Sequence, residues 1–335
     1  MAKKTVTIQD VARYAGVSRT TASDALNGTG RVSESTREAV TRAADELRYR
    51  PNTAAKSLRT STTGTIGIHL PEAMTRIDYY LQIIFGALEA AAAADVDVTL
   101  ITSRRLGSNA RPRVDGVIVI DPLSDDEIAH QLLDLDVPIV TLEQSPGQRS
   151  DGVVTADHEG ALTELLEHLG DLNVRAPALL ASPAVTDWGR RIQQRYSEWC
   201  AERGISALIT ERPFGSPPAS YAEALRDLFA LRPDIDAVVC GPEGSALVAL
   251  DVLEDLHKRV GRDVLVAALV DNTSLVYTDP PITAIDLAPR AAGASCVEVL
   301  IDLVRGRRPR GGAGVPLPIR VEYRASTAGL DTSYR

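Results

Sequence analysis

From Thr7 to Gly30 the chain reads TIQDVARYAGVSRTTASDALNGTG, and its chemically capable side chains are hydrogen-bonding ones. Arg13, Arg19 and Arg31 stand among short polar residues, Thr20, Thr21, Ser23 and Asp24. An arginine can donate to guanine O6 and N7, hydroxyls can serve any base edge, and a carboxylate can accept from cytosine N4. The same residues would also serve as the solvated surface of a small helical cap. Which of the two applies depends on the elements that carry them and on the charge around them.

The whole chain has 335 residues and a formal net charge of -9, a poor balance for meeting a polyanion. Charge is unevenly spread, however. Residues 1–62 hold eleven Lys or Arg and six acids, a net of +5, which leaves -14 for the remainder. Only a basic head needs to approach phosphates, and the local field governs that approach.

The elements in the head follow from start and stop signals. Thr7 can cap a first helix with Asp10 as its acidic partner, and Ile8, Val11, Ala12 and Ala15 give it an apolar face. Gly16 permits a tight turn. Ser18 caps a second helix that runs to about Leu26 and stops at Asn27-Gly28. Val17, Ala22 and Leu26 then pack inward, while Arg19, Thr20 and Ser23 point away near the helix start, with Asp24 on the same side. Two short helices about a glycine turn make a helix-turn-helix, whose second helix enters the major groove. A third helix is capped by Ser33, or by Ser35 with Glu38, and runs to about Leu47. Its expected buried stripe is Ala39, Val40, Ala43, Ala44 and Leu47. Pro51 breaks the chain, Asn52 can cap a short helix from Thr53 to Leu58, and Ser, Thr and Gly supply a link.

This ordered series, "TIQDVARYAGVSRTTASDALNG", "RVSESTREAV" and "ADELRYRPNTAAKSL", closely resembles the head of the lactose-repressor (LacI/GalR) family over about 55 residues without a gap. The resemblance implies a transcriptional regulator, with Arg19, Thr20 and Ser23 at major-groove contact positions. It also implies a hinge helix over Asn52 to Arg59 that inserts into the minor groove, Leu58 being its wedge and Ala55, Lys56 and Arg59 lying beside it. The candidate DNA-contact set is Thr7, Ser18, Arg19, Thr20, Ser23, Asp24, Asn27, Arg31, Asn52, Ala55, Lys56, Leu58 and Arg59. Asp24 departs from the lactose repressor's base-reading arginine, so the preferred base there should differ.

From Thr65 the pattern becomes alternating apolar runs and amphipathic segments. Residues 65–70, 98–102, 116–120, 138–142 and 152–156 read as strands, the last four as buried ones. Segments 79–94, 158–169, 187–203, 219–230 and 243–258 read as helices, with PALLA, AVVC and VLVAAL as strands. Such alternation predicts an α/β body of doubly wound parallel sheets, long enough for two lobes. The expected division is therefore residues 1–50 as helix-turn-helix domain, 51–63 as hinge and linker, and 64–335 as a two-lobed core. By resemblance the core looks like the family's effector-binding part, which has the fold of periplasmic sugar-binding proteins and exchanges strands between lobes. "RVDGVIV", "TADHEGA" and "ALVDN" stand where the family has similar motifs. There are departures. The connection from Thr102 to Arg113 is short, "DLNVRAP" replaces a basic turn, and "GPEGSA" puts Pro242-Glu243 where an Asn-Asp pair is usual. Ile192 holds the position of the family's effector arginine, with Arg191 adjacent.

Ligands of α/β folds bind at strand C-termini, which makes Asp121, Glu143, Trp188, Arg191, Glu243 and Asp271 the candidate effector residues. Each of the charged ones can equally be a surface or loop residue. Trp188 suits sugar stacking or a domain core.

Other chemistries lack their residues. No Walker loop, HExxH, GxSxG or Cys-His cluster is present, and "NGTGRVS" follows a helix where a dinucleotide fingerprint needs a strand. "GGAGV" reads as a loop, and "DPLSDDE" as the exposed start of a helix. The five histidines show no ligand spacing and read as ordinary surface or core imidazoles. Cys200, Cys240 and Cys296 are far apart and read as buried thiols in a reducing cytoplasm. No secretory signal or membrane-length apolar run is visible. The C-terminal "YRASTAGLDTSYR" has no heptad repeat, which favours a dimer over a tetramer. The expectation is a cytoplasmic, homodimeric repressor without enzymatic activity, cofactor, metal or membrane contact. It would bind a near-palindromic DNA operator under a sugar-like effector. An activator, or a regulator with a degenerate cleft, stands as the alternative.

Overall fold

The computed structural model describes residues 6–49, 62–71, 77–101, 113–123, 126–144, 150–184 and 187–329. The chain divides into two compact units, residues 1–63 and 64–335.

In the first unit, α1 (Ile8–Tyr14), α2 (Arg19–Asn27) and α3 (Glu34–Glu46) close a small core. Each start is fixed locally. Asp10 accepts from the Thr7 backbone N–H and hydroxyl at 2.9 and 2.7 Å, and the Thr21 N–H donates to Ser18 Oγ at 3.0 Å. Gly16 and Gly28 take the left-handed conformations that end α1 and α2. Val11, Ala22 and Val40, one from each helix, are fully buried where the three meet. One expectation is decided between its two alternatives and one is corrected. Ser33 caps α3 through the Thr36 N–H, so the alternative box from Ser35 is not the one used. Ala39 is exposed. At 100° per residue it lies about 90° from the centre of the Val40, Ala43, Ala44 and Leu47 stripe.

The second unit holds two six-stranded sheets. The first has the order β11-β5-β4-β3-β1-β2, all parallel. Its strands are β1 (Thr65–His69), β2 (Asp97–Leu100), β3 (Val117–Ile120), β4 (Ile139–Leu142), β5 (Gly152–Ala156) and β11 (Val315–Leu317). The second has the order β12-β10-β9-β8-β6-β7. It comprises β6 (Pro177–Ala181), β7 (Leu208–Glu211), β8 (Ala237–Cys240), β9 (Leu265–Ala268), β10 (Thr283–Asp286) and the antiparallel β12 (Arg320–Glu322). The chain therefore passes between the lobes three times: after β5, after β10 and between β11 and β12.

Strand alternation decides which helix covers which face. Ile66, Ile118, Val140 and Val154 pack under α4 (Asp78–Ala93) and α11 (Pro289–Val304). Val117, Val119 and Ile139 face α5 (Glu127–Leu133) on the other side. In the second lobe, Leu179 and Val239 face α6 (His158–Asp171) and α7 (Asp187–Glu202). Ala178 and Val238 face α8 (Pro218–Leu231) and α9 (Ser245–Asp255). A four-residue helix, α10 (Thr273–Val276), follows β9. Gly86 and Gly293 let α4 and α11 touch backbone to backbone: a Cβ on either would overlap Arg290 O or Ile83 O.

The segment 98–102, expected to be a buried strand, is corrected to the mostly exposed β2. It is the outermost strand of its sheet, with β1 as its one neighbour. The "DPLSDDE" stretch does lead into a helix, α5, whose first N–H groups donate to Asp126 Oδ1.

Candidate functional site: a DNA-contact face and an interlobe cleft

In the head, Ser18 stays at the helix entrance as the cap of α2, Arg31 is exposed beyond the C-terminal end of that helix, and Arg19 and Thr20 are exposed in its first turn. Ser23 and Asp24 are partly buried one turn further on. Asp24 bends back onto its own turn: Oδ1 accepts from the Thr29 hydroxyl at 3.3 Å, and the carboxylate lies against Gly30. The Thr7 hydroxyl is committed to Asp10. Asn27 closes α2. Asn52, Ala55, Lys56, Leu58 and Arg59, with the expected hinge helix, lie outside the described residues.

In the core, a narrow cleft between the lobes encloses about 630 Å³ of empty space, counting its open mouth. It opens where β3, β4, β8 and β10 end, which is the ligand position of α/β folds. Asp121 follows β3 and Glu143 follows β4, and both backbones are left-handed, with φ of 42° and 63°. Such a backbone is costly for a non-glycine residue and collects at functional sites. Asp121 accepts from the Tyr80 hydroxyl at 2.6 Å. Burial, and then the nearby Glu143 charge, push the Asp121 carboxyl up to about 7, against the pull of the Tyr80 bond and His158. Glu143 is only 8% exposed and takes the Thr155 hydroxyl at 2.8 Å, the Ala156 N–H at 3.3 Å and His158 Nε2 at 3.0 Å.

The second lobe adds Glu243, placed by Gly244 at the entrance to α9. Its carboxylate accepts from the Tyr79 N–H at 3.2 Å and from Asn272 Nδ2 at 3.5 Å, so it reaches across the cleft to the start of α4. Burial raises its carboxyl. Trp188, in the first turn of α7, stands 5.6 Å from Phe214 and edge-on to His158 at 6.4 Å. Tyr79 and Tyr80 are a second edge-to-face pair at 5.1 Å.

Four of the six candidate effector residues, Asp121, Glu143, Trp188 and Glu243, thus line one cavity. The other two do not. Arg191 turns to Glu159 at 3.0 Å and Asp187 at 3.6 Å, while Ile192 is buried in the lobe core at 2% exposure. Asp271 binds Arg324 through both oxygens, at 2.8 and 2.6 Å, beside a neighbouring recess. His158, Tyr79, Tyr80 and Phe214 were missed. His158 corrects the reading of the histidines as ordinary: it is buried, it lines the cleft, and its Nδ1 has no hydrogen-bond partner. Its signal was its place just after a strand, inside "TADHEGA".

A helix-turn-helix head on a core of this topology has known counterparts. Residues 7–52 match bacterial regulatory proteins of the lacI family, and residues 166–327 match the periplasmic binding protein-like domain. The HTH-type transcriptional regulator CelR of Thermobifida fusca is 31% identical over 313 residues, covering 90% of this chain and 92% of CelR. The chain belongs to the LacI family of transcriptional regulators. The regulator is also similar to the solved transcriptional regulator CelR–cellobiose complex. That match has 28% identity and a TM-score of 0.71, covering 96% of this chain and 99% of the other. The Lac repressor dimer bound to operator and the anti-inducer ONPF matches with 26% identity and a TM-score of 0.82, over 97% and 99% of the two chains. This protein is accordingly a sequence-specific DNA-binding regulator of transcription, with a helix-turn-helix head and a periplasmic-binding-protein-like core. Among the described residues no helix is long and apolar enough to cross a membrane.

Proposed function

We propose that the regulator is a cytoplasmic repressor without enzymatic activity. It acts as a homodimer on a near-palindromic operator and is controlled by a carbohydrate-like effector bound between the lobes. The cleft carries this reading: aromatic faces and hydrogen-bond acceptors from both lobes converge at strand ends, the chemistry that holds a polyhydroxylated ring. The cellobiose held by CelR supports the carbohydrate class. Dimerisation is supported by an exposed apolar stripe on α4, Leu81, Phe85 and Leu88, at the spacing of one helix face, and by the dimeric Lac repressor. Two heads related by a two-fold axis require a two-fold operator. Residues 51–63 act as the hinge, and Arg19, Thr20 and Ser23 read the groove.

The test is selection of bound genomic fragments by the full chain, followed by gel shifts on the recovered site with a disaccharide panel. A recovered inverted repeat, with an affinity that a panel member changes, is the expected result. Binding no tighter than to random DNA overturns the regulator's operator reading, and repression absent from a reporter carrying the site across its promoter overturns the sign.

A further inference from the structure

The charge balance inside the cleft narrows the effector further, resting on the reading that the cleft is the effector site. Four carboxylates line it, Asp121 and Glu143 from the first lobe and Asp187 and Glu243 from the second, and Arg190 and Arg191 pair Asp187, which leaves three. Their partners are the Tyr80 and Thr155 hydroxyls, the Ala156 and Tyr79 N–H groups, the Asn272 amide and His158. Among the described lining residues there is no lysine or arginine. Arg191 lies outside the lining, engaged by Glu159 and by the lining Asp187. Buried carboxylates without a cation are normally paired or neutralised, and among the described lining residues only His158, beside Glu143, can carry a positive charge.

A second observation points the same way. His158 is 5% exposed, lines the cleft and directs Nε2 at Glu143, leaving buried Nδ1 without a partner. In the neutral tautomer whose Nε2–H donates to the carboxylate, Nδ1 is an acceptor. The polar side chains available for a ligand therefore mostly accept. Around them stand Trp188, Phe214, Tyr79 and Tyr80, whose faces attract a cation as well as the C–H faces of a sugar ring. An anionic ligand such as a sugar phosphate or sugar acid would meet like charge on both walls.

We infer that the effector carries a protonated amine on a polyhydroxylated scaffold, an amino sugar, with the ammonium set among Asp121, Glu143 and Glu243 and the ring against the aromatic faces. Burial and the Glu143 charge, which raise the Asp121 carboxyl, are both offset by a cation placed beside it.

Isothermal titration of the full chain with matched pairs tests this. The pairs are the β-1,4-linked glucosamine disaccharide against cellobiose, and galactosamine, mannosamine and glucosamine against their parent hexoses. An ammonium for a hydroxyl adds charge-assisted bonds, so the amine of a matched pair should bind at least about tenfold tighter. That preference should shrink to less than about threefold in Glu243→Gln and in Asp121→Asn. Neutral sugars binding as tightly as their amines in the wild-type chain would overturn the amine while leaving the cleft reading intact. An amine preference that survives both substitutions would overturn the placement at these carboxylates. Binding of no member of either series would overturn this inference together with the cleft reading.

Discussion

Asp121 ties the cleft to a measurable property of the empty protein. Its folded carboxyl sits at about 7 against an ordinary 3.8, with burial the main cause and Glu143 the second. The native state therefore holds this proton more tightly than the unfolded chain does. Stability from that proton is fully present below the unfolded value and is lost as pH rises toward and through 7. Between pH 6 and pH 8 the linkage integral for a single group of this kind is about 1.4 kcal/mol. Asp121→Asn keeps an acceptor for the Tyr80 hydroxyl and removes the titration. Urea unfolding of both proteins at pH 6 and 8 isolates the effect of Asp121 and of the groups coupled to it, Glu143 and His158, because titrating groups remote from it cancel in the double difference. Tryptophan fluorescence follows the core alone, since both tryptophans, Trp188 and Trp199, lie within residues 64–335. The wild type should lose about 1.4 kcal/mol more than the variant between the two pH values. Parallel losses, within about 0.3 kcal/mol, would show that Asp121 is ionised across this range and that the burial argument is wrong.

Three further outcomes are expected. Gly293→Ala forces a methyl onto the Ile83 carbonyl at the α4–α11 crossing and should cost about 3 kcal/mol or more, read in the same urea titrations; a change below about 0.5 kcal/mol would mean the helices part easily. Asp24→Asn should alter base preference at one position per half-site in a selection on randomised operators if the carboxylate reads cytosine, and should tighten binding to all sequences alike if it only repels phosphates. Leu58→Ala should reduce operator bending in circular-permutation gels, since a wedge opens a base step; a full bend in the variant would show that Leu58 is no wedge.

The head was legible because its signals are local. Caps, glycine turns and a helical stripe all lie within a few residues of what they determine, and the misplaced Ala39 erred only at the edge of its stripe. The central strands were legible too, as apolar runs buried on both faces. β7, β10, β11 and β12 were not, because three or four residues such as LITE or RVE carry no period worth reading. In the cleft, Asp121, Glu143 and Glu243 were reachable from the rule that ligands sit at strand ends. Arg191 was misassigned because the sequence does not say how α7 is rotated: Ile192 takes the core and leaves Arg191 facing Glu159 on α6. Asp271 was spoken for by Arg324, 53 residues further along the chain, a pairing that only β12 beside β10 explains. Tyr79 and Tyr80 enter the site because α4 begins beneath it, again a tertiary fact.

If the cleft is the effector site, Glu243 is the residue placed to make a bound ligand act on both lobes. A ligand that touches one lobe alone binds open and closed forms equally and shifts nothing, however tightly it binds. Asp121, Glu143, Tyr80 and their neighbours are first-lobe groups, and the second lobe's carboxylate answers them across the gap, already in contact with the Tyr79 N–H. Glu243 lines the same cavity as Asp121 and Glu143, from the opposite lobe. An ammonium between them would attract both walls, which is a free-energy difference between the lobe arrangements and hence a coupling to DNA affinity. Glu243→Gln keeps the acceptor for Tyr79 and deletes the charge. It should therefore reduce the response more than the occupancy. At saturating glucosamine disaccharide, the ratio of operator affinities with and without ligand should shrink by up to about tenfold, whichever direction the wild type moves. A variant that retains the full wild-type ratio at saturation would show that closure is driven from elsewhere, and that Glu243 only helps to hold the ligand.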